Sequence, residues 1–274
     1  MRVRLVGVSF LMALTCAAIA HADMPATYYL ALGDSLAIGV QPSVTGDVAT
    51  DQGYANDLFL VMRARIPGLQ LAKLGCSGET TVTMIHGGIC SYAQGSQLAA
   101  AVSFLKTHSV ALVTLDIGAD DIDHCISTAG IDSECVATAF RSVATNLPQI
   151  LAVLRNAAPN TPIVAMNYYD PFLAAWTLAT NGHTLAKVSL DVTLTFNRIL
   201  ETVYRRFSIP IANVANAYHI IDFTHIPSAD LPLNVVLTLS WTWMGAPPPF
   251  GPNIHPNAVG YAVIARAFVQ KIVH

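Results

Sequence analysis

Charge is scarce in this chain. Asp, Glu, Lys and Arg make up 11% of its 274 residues, against roughly 25% in an ordinary soluble domain. The surface must therefore be apolar or covered with neutral polar groups. That suits a protein acting on greasy substrates, and it suits a tightly packed exported one equally well. The basic residues are scattered, which disfavours a nucleic-acid partner. No Cys-x-x-Cys pair occurs, so zinc would lack its usual sulfur spacing. Repeats, linkers and low-complexity tracts are missing too, so a single domain is expected. Past residue 20, every long apolar run is broken by Pro, Gly or polar residues, and none reads as a membrane-spanning helix.

What is present begins with a leader. Arg2 and Arg4 precede an apolar run from Leu5 to Ala20, and Ala20-His21-Ala22 has the small-x-small pattern of a cleavage site. Residues 1–22 read as a secretory signal peptide, and residues 23–274 as the exported domain. Leu14 and Thr15 argue against Cys16 as a lipid anchor. Cleavage leaves 12 basic against 17 acidic residues. It also leaves Cys76, Cys90, Cys125 and Cys135, an even number that predicts two disulfides with three possible connectivities. The pairs Cys76–Cys90 and Cys125–Cys135 are favoured because each closes a short loop beside a predicted strand end.

Apolar runs alternate with helical patterns, the signature of parallel βαβ units. Strands are expected at Tyr28–Leu32, Leu69–Leu74, Ala111–Ile117, Pro162–Asn167 and Ile209–Val214. Helices are expected at Tyr54–Arg65, Ser96–Thr107, Asp132–Asn156, Leu185–Phe207 and Asn257–Val273. The fold class is α/β: a doubly wound three-layer α/β/α sandwich on about five parallel strands. Leu231 to Asn253 is apolar yet rich in breakers, and is read as a long irregular connection forming an acyl pocket, a lid or packing on the sheet edge. Trp241 and Trp243, at strand spacing, are candidate substrate-binding residues.

The chemistry gathers at strand ends. Tyr28–Leu32 breaks at Gly33-Asp34-Ser35, which places a serine at the carboxyl edge of the sheet and at a helix N-terminus. Capping by Asp34 and Ser35 is the simplest explanation of that stretch alone. Three further stretches follow other elements: Gly75-Cys76-Ser77-Gly78-Glu79-Thr80, Gly118-Ala119-Asp120-Asp121 and Asn253-Ile254-His255-Pro256-Asn257. Each is ordinary by itself, but together they would converge on one rim.

With these blocks the sequence resembles the GDSL, or SGNH, hydrolase family of esterases and lipases, over essentially the whole mature chain. Gly33-Asp34-Ser35-Leu36 matches the first block, Ser77-Gly78-Glu79-Thr80 the second, and His255-Pro256-Asn257 with Gly260-Tyr261 the last. The resemblance implies a flavodoxin-like fold, Ser35 as nucleophile, His255 as base, and an oxyanion hole of the Ser35 and Gly78 N–H groups with the residue at 120. It implies a small-molecule or lipid ester as partner and no metal or cofactor; a monomer is expected. Two positions depart from the pattern. Asp120 replaces an asparagine that donates to the oxyanion, and an ionised carboxylate cannot donate; a protonated one can. The family's acid, three residues before the histidine, is here Pro252, which leaves Asn253 as the residue to hold the His255 ring. A binding module with impaired catalysis is the alternative these departures raise. A metal site built from Asp116, Asp120, Asp121, Asp123 and His124 matches no ligand spacing.

Overall fold

Strand β1 (Thr27–Gly33) is an interior strand of the central sheet because its apolar run can be covered on both faces. The computed structural model describes residues 26–272; the segment read as a leader lies outside them. On either side of β1 run, in parallel, β2 (Leu69–Lys73) and β3 (Ser109–Asp116), followed by β4 (Ile163–Met166) and β5 (Ile211–Ala212). The order is β2-β1-β3-β4-β5. The chain therefore goes one way from β1 and returns to its other side at β3, opening a crevice at the carboxyl ends of those two strands.

Nine helices are described: α1 (Ser35–Ile38), α2 (Tyr54–Arg63), α3 (Thr81–His86), α4 (Gln97–Thr107), α5 (Ser133–Ala157), α6 (Gly182–Arg206), α7 (Val214–Ala217), α8 (Leu233–Trp241) and α9 (Ala258–Ile272). Helix α2 packs on α9, with Tyr54 stacked on Phe268 at 4.9 Å, while α4, α5 and α6 lie side by side. Local chemistry sets the starts. Asp132 accepts the N–H groups of Glu134 and Cys135, both at 3.0 Å, and so opens α5. Asn257 does the same for Val259 and Gly260 ahead of α9. All five expected strands and five long helices are present, their ends displaced by a few residues.

One region differs from its sequence reading. Residues 231–253 are not irregular throughout: Leu233–Trp241 is helical and Trp243–Gly245 forms a 3-10 turn. The reason is where the breakers fall. Pro232 sits at the helix cap and the Gly and Pro residues begin at Gly245, so nothing interrupts the nine residues between. Trp241 and Trp243 are consequently not on a strand. Disulfides join Cys76 to Cys90 and Cys125 to Cys135. Small antiparallel ladders also form, one of them the hairpin Gln41–Ser43/Gly46–Val48.

Candidate active site

The turn from β1 into α1 is over-determined. Gly33 has φ +134°, and a Cβ there would overlap the Asp116 carbonyl of the neighbouring strand. The Gln97 side chain pairs with Gly33 as another strand would: Oε1 accepts its N–H at 2.8 Å and Nε2 donates to its carbonyl at 2.8 Å. Asp34 is the cap, accepting from Leu36 N–H at 2.9 Å and from the Tyr168 hydroxyl at 3.0 Å. Burial pushes its carboxyl up to about 6. Asp116, also buried, accepts from the Ala37 N–H at 3.1 Å and from the Tyr54 hydroxyl. Capping thus falls to Asp34, and the Ser35 side chain does something else.

Ser35 Oγ lies 2.9 Å from His255 Nε2, although 220 residues separate them. The loop carrying the histidine is pinned through its backbone: Trp243 N–H donates to the His255 carbonyl at 2.9 Å, and Asn257 N–H to the Trp241 carbonyl at 3.0 Å. On the other side of the ring, Nδ1 is 2.7 Å from Asn253 Oδ1, which also accepts the His255 N–H at 3.0 Å. Asn253 Nδ2 in turn donates to Asp47 Oδ1 at 2.8 Å, and Asp47 Oδ2 approaches His255 Nδ1 at 3.4 Å. Asp47 comes from the Gln41–Val48 hairpin, and no motif in the sequence marks it. Burial lowers the His255 pKa, and the Asp47 charge works against that.

Gly78, at φ +81°, lies just beyond the buried Cys76. Among the described residues, neither its N–H nor that of Ser35 donates to a protein acceptor. Both residues line one cavity of about 180 Å³ together with Asp120 and His255. Burial, followed by repulsion from Asp34, Asp123, Asp121 and Glu79, pushes the Asp120 carboxyl up to about 9. It is therefore neutral at pH 7, when its O–H can donate. Asp123 is pushed up to about 8, by burial and then by Asp34 and Asp170. The remaining wall is apolar, including Ile122, Ile126, Phe172, Val192 and Phe196.

One expectation fails here. Trp241 and Trp243 do not line this cavity. Trp241 closes α8 with its ring edge-on to Tyr218, and Trp243 donates its Nε1–H to Gln41 Oε1 at 2.6 Å. The apolar wall comes instead from the segment after β3, the 3-10 turn Pro171–Thr177 and α6, none of which sequence periodicity connects to the serine. The side chains of the acidic stretch are engaged separately. Asp121 is occupied by the Thr81 N–H and hydroxyl at 2.7 and 2.8 Å, and Asp116 faces β1 and α1. His124 does meet Cys125 and Cys135, but those sulfurs are bonded to each other.

A doubly wound α/β domain with a serine–imidazole pair at its topological switch point is the class that fold and site define. The GDSL-like Lipase/Acylhydrolase family matches over residues 31–263, and the chain belongs to that family, which makes it a hydrolase of the lipase/esterase type. Solved structures agree in fold. The extracellular lipase of Streptomyces rimosus is 17% identical, with 89% of this chain and 99% of that one covered at a TM-score of 0.60. Phospholipase A1 of Streptomyces albidoflavus NA297 is 19% identical, with 90% and 99% covered at 0.57. The lipase Lip_vut3 from a goat rumen metagenome is 15% identical, with 90% and 97% covered at 0.55. No curated protein matches the chain in sequence.

Proposed function

We propose that the protein is an exported serine esterase or lipase that cleaves carboxylic esters with Ser35 as nucleophile and His255 as base. The observation that carries this is the 2.9 Å contact between Ser35 Oγ and His255 Nε2 at the carboxyl edge of the sheet. With Nδ1–H donated to Asn253, Nε2 is free to take the Ser35 proton. The Ser35 oxygen then attacks the ester carbonyl. The N–H groups of Ser35 and Gly78 and the protonated Asp120 stabilise the oxyanion. His255 returns the proton to the leaving alcohol, and a water repeats the sequence to release the acid. An Asp120 that is neutral keeps the third donor, which favours catalysis over a site reduced to binding. The apolar wall fits the acyl chain of the substrate. The leader and two disulfides support export, and among the described residues no helix is long and apolar enough to cross a membrane.

A fluorophosphonate should label folded protein at Ser35 and leave Ser35→Ala unlabelled. Against a series of p-nitrophenyl esters, Ser35→Ala should lose roughly 10⁴-fold or more in kcat. Equal turnover by the two proteins would end this reading.

A further inference from the structure

The hairpin after α1 delivers a carboxylate to the far side of the histidine ring. Its first strand is tied to the histidine loop, since Gln41 Oε1 accepts the Trp243 Nε1–H at 2.6 Å and Trp243 N–H holds the His255 carbonyl at 2.9 Å. Its second strand carries Asp47, with Oδ1 at 2.8 Å from Asn253 Nδ2 and Oδ2 at 3.4 Å from His255 Nδ1. We propose that Asp47 is the positioning acid of this site, orienting the Asn253 amide and supplying the negative charge that the residues before His255 lack. The inference rests on the reading of Ser35 and His255 as nucleophile and base.

Two separate effects follow from the geometry. A carboxylate only accepts hydrogen bonds, so the nitrogen of the Asn253 amide must face Asp47 and its oxygen must face the ring. An amide oxygen also only accepts, so the ring proton sits on Nδ1 and the Nε2 lone pair is left for the Ser35 hydroxyl. Asp47 thereby fixes the tautomer at one remove. The second effect is direct. When the ring takes up the Ser35 proton it becomes cationic, and a carboxylate at 3.4 Å favours that form. Asn253, being neutral, supplies only the orientation.

Other groups face the ring from the elements around it, and none does the same work. Ser35 meets it from α1, and Asp34 from the turn before it and Asp120 and Asp123 from the segment after β3 line the same cavity. Asp120 and Asp123, pushed up to about 9 and about 8, hold their protons at neutral pH. The oxygens of Asp34 are taken by Leu36 and Tyr168. The Tyr169 hydroxyl donates to the Ile254 carbonyl at 2.8 Å. Among the described residues no Lys or Arg lines the cavity. Asp47 alone of these carboxylates meets the ring at Nδ1.

The test is Asp47→Asn, which keeps an acceptor for Asn253 Nδ2 and removes the charge. The His255 pKa, read by NMR titration against a His255→Ala reference, should fall by about one unit, and kcat/KM should drop about tenfold with KM little changed. The acidic limb of the kcat/KM profile should move to lower pH with it. Asn253→Asp sets two carboxylates against each other and should also lose activity. Asp47→Asn/Asn253→Asp, which exchanges the amide and the carboxylate, should regain most of it. A titration and acidic limb unmoved in Asp47→Asn, whatever happens to the rate or to Tm, would overturn the proposal, because a purely structural Asp47 leaves both in place. The titration needs no turnover. Wild-type protein without Ser35-dependent ester hydrolysis would refute the function, while the coupling of Asp47 to His255 would still be read from the spectra.

Discussion

Burial and the carboxylates around it keep a proton on Asp120 until about pH 9, and this decides whether the residue can donate a hydrogen bond into the cavity, as the proposed oxyanion hole requires. The sign is that of an acid whose folded pKa is raised: the donor is present at neutral pH and is lost as the pH rises through about 9. His255, held below its ordinary 6.5, sets the acidic side. The kcat/KM profile should therefore be a bell, rising below pH 6.5 and falling near 9. Asp120→Asn should keep its activity at neutral pH and lose the alkaline fall. Asp120→Ala should cost about 10²–10³ in kcat at neutral pH, and progressively less above about pH 9, where the wild-type donor is itself lost. The sequence shows the aspartate plainly. Its proton depends on Asp34, Asp123, Asp121 and Glu79, and only folding brings Asp34 and Glu79 near it. Asp47 is hidden for the same reason, more severely. It lies 206 residues from Asn253, in a short exposed hairpin with no spacing rule to mark it.

Among the elements, the turn carrying Gly78 leans on the Cys76–Cys90 disulfide, which closes a separation of 14 residues beside the cavity. Cys76→Ser/Cys90→Ser should lose about 3 kcal/mol of unfolding free energy in a denaturant titration, the loss of loop constraint at that length. It should also lower kcat, because Gly78 is then less firmly placed. Elements with a long apolar period are readable from sequence: β1 as an unbroken apolar run, α5 from its Asp132 cap and its amphipathic face. Helices α1, α3 and α7 are four to six residues long and present no period to find. Helix α8 is obscured differently, because the Pro and Gly residues that flank it weight the whole region toward coil. The apolar wall of the cavity stays out of reach of sequence reasoning, since it joins residues from three elements that only the tertiary packing brings to the serine.

At the scale of the whole molecule, raised carboxyls accumulate. Burial raises Asp34 to about 6, Asp170 to about 7, Asp123 to about 8 and Asp120 to about 9, and Asp116 rises well above its ordinary value. Between the unfolded carboxylate range near pH 4 and about 9 the native state binds more protons than the unfolded chain, so stability must fall as pH rises across that window. Melting curves should accordingly give a higher Tm at pH 5 than at pH 8.5, and Asp123→Asn should flatten the slope. A flat or rising Tm over that interval would contradict the buried-carboxyl account.

The pairing of Ser35 with His255 also has a temporal meaning. During synthesis Ser35 emerges 220 residues before His255, which lies in the loop that leads into α9. A nascent chain halted before residue 255 holds Ser35 without the imidazole proposed as its base. On the proposed function, ester cleavage therefore waits until the loop ahead of α9 has folded back onto the strand that leads into Ser35.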